Sequence, residues 1–81
     1  MAEFTVEAFH KLLADVLRKR TFVFRQDMSA KDVPGWDSMN HIFIVMEINK
    51  VTGLDLSPEE TAKLATLGDF HDAILAAQRA G

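Results

Sequence analysis

The chain has 81 residues, enough for one domain with one small core and short of what a deep catalytic cleft with supporting residues needs. Twelve acidic against nine basic residues leave a formal net charge of −3, which argues against nucleic acid as a partner. There is no cysteine, which excludes disulfides, thiolate nucleophiles and cysteine metal sites.

The first helix is predicted from Phe4 or Thr5 to Arg18. Phe9, Leu12, Leu13, Val16 and Leu17 recur at helical spacing and make one apolar face. Thr5 stands as the N-cap and Glu7 falls in the first turn. This N-terminal segment lacks the basic region and apolar stretch of a signal peptide. No apolar run approaches the roughly 20 residues that span a bilayer, so a soluble, cytoplasmic monomer without stable membrane insertion is expected. Arg18-Lys19-Arg20 closes the helix, where positive charge complements its dipole.

A long connection follows, from Lys19 to Trp36. Phe22-Val23-Phe24 is expected to pin it to the core, and Val33-Pro34-Gly35 sets a turn. Helix two starts with Asp37 as N-cap, runs through Lys50 or Val51 and stops at Gly53. Leu54-Asp55-Leu56 leads to Ser57-Pro58-Glu59-Glu60, an S-x-x-E capping box with proline at the first helical position. It opens a short helix three, to about Leu64. Thr66-Leu67-Gly68-Asp69 is a weaker cap signal for helix four, from about Leu67 to Gln78, with Phe70, Ala73, Ile74 and Ala77 on its apolar face. The expected fold is all-α, a single domain over residues 1–81. It is a small four-helix bundle of three longer helices and one short one, with a long loop between helices one and two.

Helix two is more apolar than a small bundle requires. Ile44, Val45, Ile48 and Val51 or Thr52 line one face, and Met39, Ile42, Phe43 and Met46 form a second stripe that begins just after Ser38. That stripe is either buried, if helix two is central, or an exposed patch for partners or cargo, to which adaptable methionines are suited. Ser38 itself lies after an acidic residue in the first turn. Unpaired N–H groups and a partial positive charge there suit a phosphoester on its hydroxyl better than a catalytic nucleophile. The G-x-S-x-G elbow of hydrolases is absent, and Asp55-Leu56-Ser57-Pro58-Glu59-Glu60 lacks the ligand pattern of a calcium loop.

Trp36, the only tryptophan, either packs the loop against the bundle or flanks Ser38. His41, one turn after Asp37, is placed to hydrogen-bond the cap, to approach a phosphate on Ser38, or to lie on the surface. His10 and His71 have no ligand spacing, and no metal site is expected.

Gly35-x-Asp37-Ser38-Met39, the apolar helix after it, the Gly53-Leu54-Asp55-Leu56 linker, the short capped helix and Thr66-Leu67-Gly68-Asp69-Phe70 come in one order. This arrangement resembles the acyl carrier protein family, over about Val6 to Ala77. The resemblance implies that Ser38 carries a 4′-phosphopantetheine arm, added from coenzyme A by a phosphopantetheinyl transferase. Asp37 would orient that enzyme and its metal ion, and cargo would ride as a thioester on the arm. It further implies a non-catalytic protein that presents acyl intermediates to acyl-loading, ketosynthase or acyltransferase-type enzymes of a fatty-acid, polyketide or specialised lipid pathway. Cargo would fold back chiefly against helix two and the loop, with Trp36, Met39, Ile42, Phe43 and Met46 as the partner or cargo surface. Met39 replaces the family's usual leucine, and helix two has Glu47 as its sole acidic residue where the family's fatty-acid members are strongly acidic. Hydrophobic contact should therefore carry more of the recognition, as in a specialised carrier. Met1 and Gly81 suggest a free-standing chain. An aminoacyl or peptidyl carrier, or an unmodified helical adaptor, are the alternatives.

Overall fold

Each helix forms where side-chain chemistry supplies a start. The computed structural model describes residues 3–18 and 23–80 and contains four α-helices, with no strand among the described residues. Helix α1 spans Val6–Leu17, α2 Ser38–Thr52, α3 Pro58–Thr61 and α4 Leu67–Ala80. Thr5 accepts the Ala8 N–H at 3.0 Å and Asp37 the Asn40 N–H at 2.8 Å, so the expected N-caps of α1 and α2 are in place. Ser57 accepts the Glu60 N–H at 3.4 Å, and Thr66 accepts the Asp69 N–H at 3.1 Å. Gly53 ends α2 in the left-handed region, at φ 74°.

Helix α3 is one turn and stops three residues short of the expected end at Leu64. Thr61 is its buried residue, and Ala62, Lys63 and Ala65 beyond it are exposed, so too little apolar surface is covered to support another turn. Helix α4 runs two residues past Gln78, to Ala80.

The core joins Phe9, Leu12, Leu13 and Leu17 of α1 to Ile44, Val45 and Ile48 of α2 and to Leu67, Phe70 and Ile74 of α4. Phe9 is central: its ring centroid lies 5.3 Å from Phe70, 5.6 Å from Phe24 and 5.8 Å from Phe4. Thr52, with its hydroxyl donating to the Ile48 carbonyl, continues the inner face of α2, and Val51 is exposed. Phe4, Met28 and Val33, which helical periodicity does not single out, are buried as well. The Phe4 N–H donates to Gln78 Oε1 at 2.9 Å and the Phe4 carbonyl accepts from His71 Nε2 at 2.6 Å, which fastens the N-terminal segment to α4.

The connection from α1 to α2 contains a 3-10 turn at Ala30–Asp32, which the sequence reading did not anticipate. The Ser29 backbone N–H and hydroxyl both donate to Asp32 Oδ2, at 3.0 and 3.3 Å, and close it. The first N–H groups of α4 have no partner within the helix and find one here: Leu67 donates to the Met28 carbonyl and Gly68 to that of Gln26, both at 2.9 Å. A Cβ on Gly68 would stand 3.1 Å from the Gln26 carbonyl oxygen, a tight contact that would push the connection back by a few tenths of an ångström. Phe24 is half-buried and packs edge-on to Phe9, whereas Val23 is exposed. Phe22, Lys19 and Arg20 lie outside the described residues. None of the described helices is long and apolar enough to cross a membrane.

Asn49 links the end of α2 to the following segment, donating to the Leu56 carbonyl at 3.1 Å and accepting the Leu56 N–H at 2.8 Å. Asn49→Ala should lower unfolding stability by about 2 kcal/mol, one for each lost bond, measured by urea denaturation with an unchanged m-value.

Candidate functional site

Val33-Pro34-Gly35-Trp36 makes the turn that delivers the chain to α2. The Trp36 N–H donates to the Val33 carbonyl at 3.2 Å, and Gly35 has φ 86°, the glycine position of a type II turn with proline before it. Asn40 Nδ2 donates to the Gly35 carbonyl and closes the turn against the first helical turn. Asp37 then caps α2, taking the Asn40 N–H on its side chain and the His41 N–H on its carbonyl at 2.8 Å.

Ser38 is the first residue of α2 and is exposed. With the Asn40 and His41 N–H groups occupied, those of Ser38 and Met39 remain without intrahelical partners next to its hydroxyl. The hydroxyl bonds to no other described residue. Ser38 thus has an accessible oxygen at the positive end of a 15-residue helix, where an attached phosphate is electrostatically favoured.

His41 differs from the cap and surface expectations. It neither caps the helix with its side chain nor lies on the surface; it is half-buried and bonded on both ring nitrogens. Trp36 Nε1 donates to His41 Nδ1 at 3.1 Å. An indole N–H only donates, so Nδ1 is the acceptor and the neutral ring carries its hydrogen on Nε2. Nε2 stands 2.8 Å from Thr61 Oγ1 and 3.1 Å from the Pro58 carbonyl. Thr61 in turn donates its hydroxyl back into α3, 3.0 Å from the Ser57 carbonyl and 3.1 Å from that of Pro58. A strap of hydrogen bonds therefore runs from Trp36 through His41 to α3. Trp36 packs the loop inward, with its ring 6.1 Å from Phe70, as the packing alternative for it expects.

Beside Ser38 a cleft of about 470 Å³ opens between the start of α2, α3 and the segment leading into α4. Trp36, His41, Ile42, Leu64, Leu67 and Phe70 line it, with Asp37, Ser38 and Glu59 adding polar surface. Its size falls within the range of small-molecule sites. Helix α2 and Ala30 of the connection do line it, but α3 and the residues after it form much of the wall, a contribution the sequence expectation did not include.

Met39 is 66% exposed, Met46 59%, Phe43 49% and Ile42 46%, so the second stripe of α2 faces outward and the buried alternative is overturned. Ile42 belongs both to this patch and to the cleft. Thr61, Leu64 and Phe70 are members of the site that sequence reasoning missed; each reaches it from a residue distant in the chain. Among the described residues no three histidines or carboxylates converge as a metal site. No family model matches the chain, and no solved structure matches it.

Replacing Trp36 by Phe keeps a ring in place and removes the donor to His41 Nδ1. Nitrogen-15 NMR should find the Nε2–H tautomer of His41 in the wild type and a mixture of tautomers in Trp36→Phe. Asp37→Ala should cost about 1 kcal/mol of stability through the lost cap, measured by urea unfolding.

Proposed function

We propose that this chain is an acyl carrier whose Ser38 Oγ bears 4′-phosphopantetheine and whose four helices act as a small bundle with a long first loop. One observation carries the reading: an exposed serine hydroxyl at the start of α2, beside unpaired N–H groups, opens onto an apolar cleft. These residues fit a phosphodiester better than an activated nucleophile. A separate transferase would move the phosphopantetheinyl group of coenzyme A to Ser38: the Oγ–P bond forms as the pyrophosphate P–O bond of coenzyme A breaks, adenosine 3′,5′-bisphosphate leaves and the hydroxyl gives up its proton. The group would supply the thiol that a cysteine-free chain lacks.

Within this reading Asp37 has two tasks. It holds the first turn of α2, which aims Ser38 outward, and it offers a free carboxylate oxygen to the modifying enzyme and its metal ion. Met39, Ile42, Phe43 and Met46 give partner enzymes an apolar surface next to the attachment point, and the mild charge leaves contact, more than long-range steering, to select them. The chain itself catalyses nothing. Fatty-acid, polyketide and specialised lipid pathways all use such a carrier, and an aminoacyl cargo would use the same arm.

The exposed stripe does not depend on Ser38, and on its own it favours a second reading, an unmodified helical adaptor. Intact mass after incubation with coenzyme A and a promiscuous phosphopantetheinyl transferase separates the two. The carrier gains one phosphopantetheine unit on wild type and none on Ser38→Ala; an adaptor gains none and keeps partner binding in Ser38→Ala. For the patch, Phe43→Asp should retain helical content and weaken engagement of acyl-transferring partners about tenfold or more, seen as a raised KM for the loaded carrier.

A further inference from the structure

The cleft beside Ser38 ends on a floor that belongs to the core. Leu67 and Phe70 line the cleft and are themselves almost fully buried. Behind Phe70 stands Phe9, its ring centroid 5.3 Å away, and around it Leu13, Ile44, Ile48 and Ile74 have no exposed surface. A chain entering the cleft from Ser38 would have to displace these rings to go further.

Across this floor lies the strap of Trp36, His41 and Thr61. The His41 ring is held from the loop by Trp36 Nε1 and from α3 by Thr61 Oγ1 and the Pro58 carbonyl. It also lies 5.9 Å from both the Trp36 and Phe70 rings. Moving it aside breaks hydrogen bonds on both of its nitrogens in a half-buried setting, which is costly unless new partners are found. Every buried side-chain polar atom among the described residues already has a partner, so the floor holds no unpaired side-chain group that calls for a polar cargo. Inward of the polar rim of Asp37, Ser38 and Glu59, the cleft offers a ligand the apolar wall of Ile42, Leu64, Leu67 and Phe70.

The geometry points to a limit on cargo length: the cleft takes a short, apolar acyl group, and the Trp36–His41–Thr61 strap stops a longer chain from entering the helical core. This rests on the carrier reading above. His41 is a specificity-determining residue in this scheme, with Trp36 and Thr61 as the positioning residues that hold its ring across the path. Longer chains would leave their distal carbons in solvent or against the Met39–Phe43–Met46 patch, accessible to partner enzymes.

Saturated acyl-phosphopantetheine groups of increasing length, from four to about fourteen carbons, would be transferred from acyl-coenzyme A to Ser38, with loading verified by intact mass. The thermal midpoint is then measured for each. Methylenes taken into the cleft raise the midpoint, by about 3–6 °C each at full burial, and those held outside do not. The expected profile climbs over the first few carbons and then levels off. In Trp36→Phe and in Thr61→Val, which keep most of the packing and loosen the strap, the break moves to longer chains. His41→Ala should move it furthest, with circular dichroism confirming that each variant is folded. A midpoint that keeps climbing to the longest chain in the wild type overturns the limit, as does a flat series on fully loaded protein. A break that stays put in every folded variant removes the strap from the explanation and overturns its assignment. Failure of the wild type to gain mass would sink the carrier reading and this inference together, and is distinguished from the other outcomes at the loading step.

Discussion

Phe70 is the contact on which the arrangement depends. Its ring meets Phe9 at the centre of the core and also Trp36 and His41 at the site, with centroids 5.3, 6.1 and 5.9 Å away. Its position is set by the start of α4, and that start is anchored by backbone bonds from Leu67 and Gly68 to the connection. The same aromatic group therefore registers α1, α4, the connection and α2 against one another. Removing its bulk would open a cavity and also leave the Trp36–His41 pair without a wall. Core stability and site geometry are coupled through a single side chain.

Helix α2 meets an unusual demand. Its inner residues Ile44, Val45 and Ile48 are fully buried, yet Met39, Phe43 and Met46 on the outer side remain in water. Nothing in a lone helix with apolar residues on both sides decides which side turns inward. Here the choice is made at the ends: Asp37 and the Gly35 turn orient the first turn, and Asn49 with Thr52 and Gly53 orients the last. The branched aliphatic residues pack against α1, and the flexible methionines are left outside, where adaptability is useful and packing precision is not required.

Much of this was readable from local chemistry. The caps at Thr5, Asp37 and Ser57, the stop at Gly53 and the turn at Val33-Pro34-Gly35 depend on residues within a few positions of each other, and their signals survive in the linear chain. The outward stripe was readable because so small a helical fold has room for only one buried face of α2. The role of His41 was not. Its partners Pro58 and Thr61 lie 17 and 20 residues away, and no spacing rule connects them. The same holds for Met28, which is buried because the chain folds back onto α4, and for the 3-10 turn, whose Ser29–Asp32 pair looks like any polar loop segment. Helix α3 was overestimated because a strong cap predicts where a helix begins, whereas its length depends on how much apolar surface it finds to cover.

Helix α1 ends on Arg18 with φ 57°, in a region where glycine usually serves and where a side chain costs about 1–2 kcal/mol. For a domain of 81 residues, total stability is on the order of 4–12 kcal/mol, so that local strain is a sizeable fraction. Proteins in general sit just above the threshold at which substitutions begin to unfold them. Arg18→Gly would relieve the strain and widen that margin. The relaxed chain would be a more forgiving host for directed evolution of the exposed stripe of α2, where many useful substitutions are otherwise lost to unfolding before their effect can be selected.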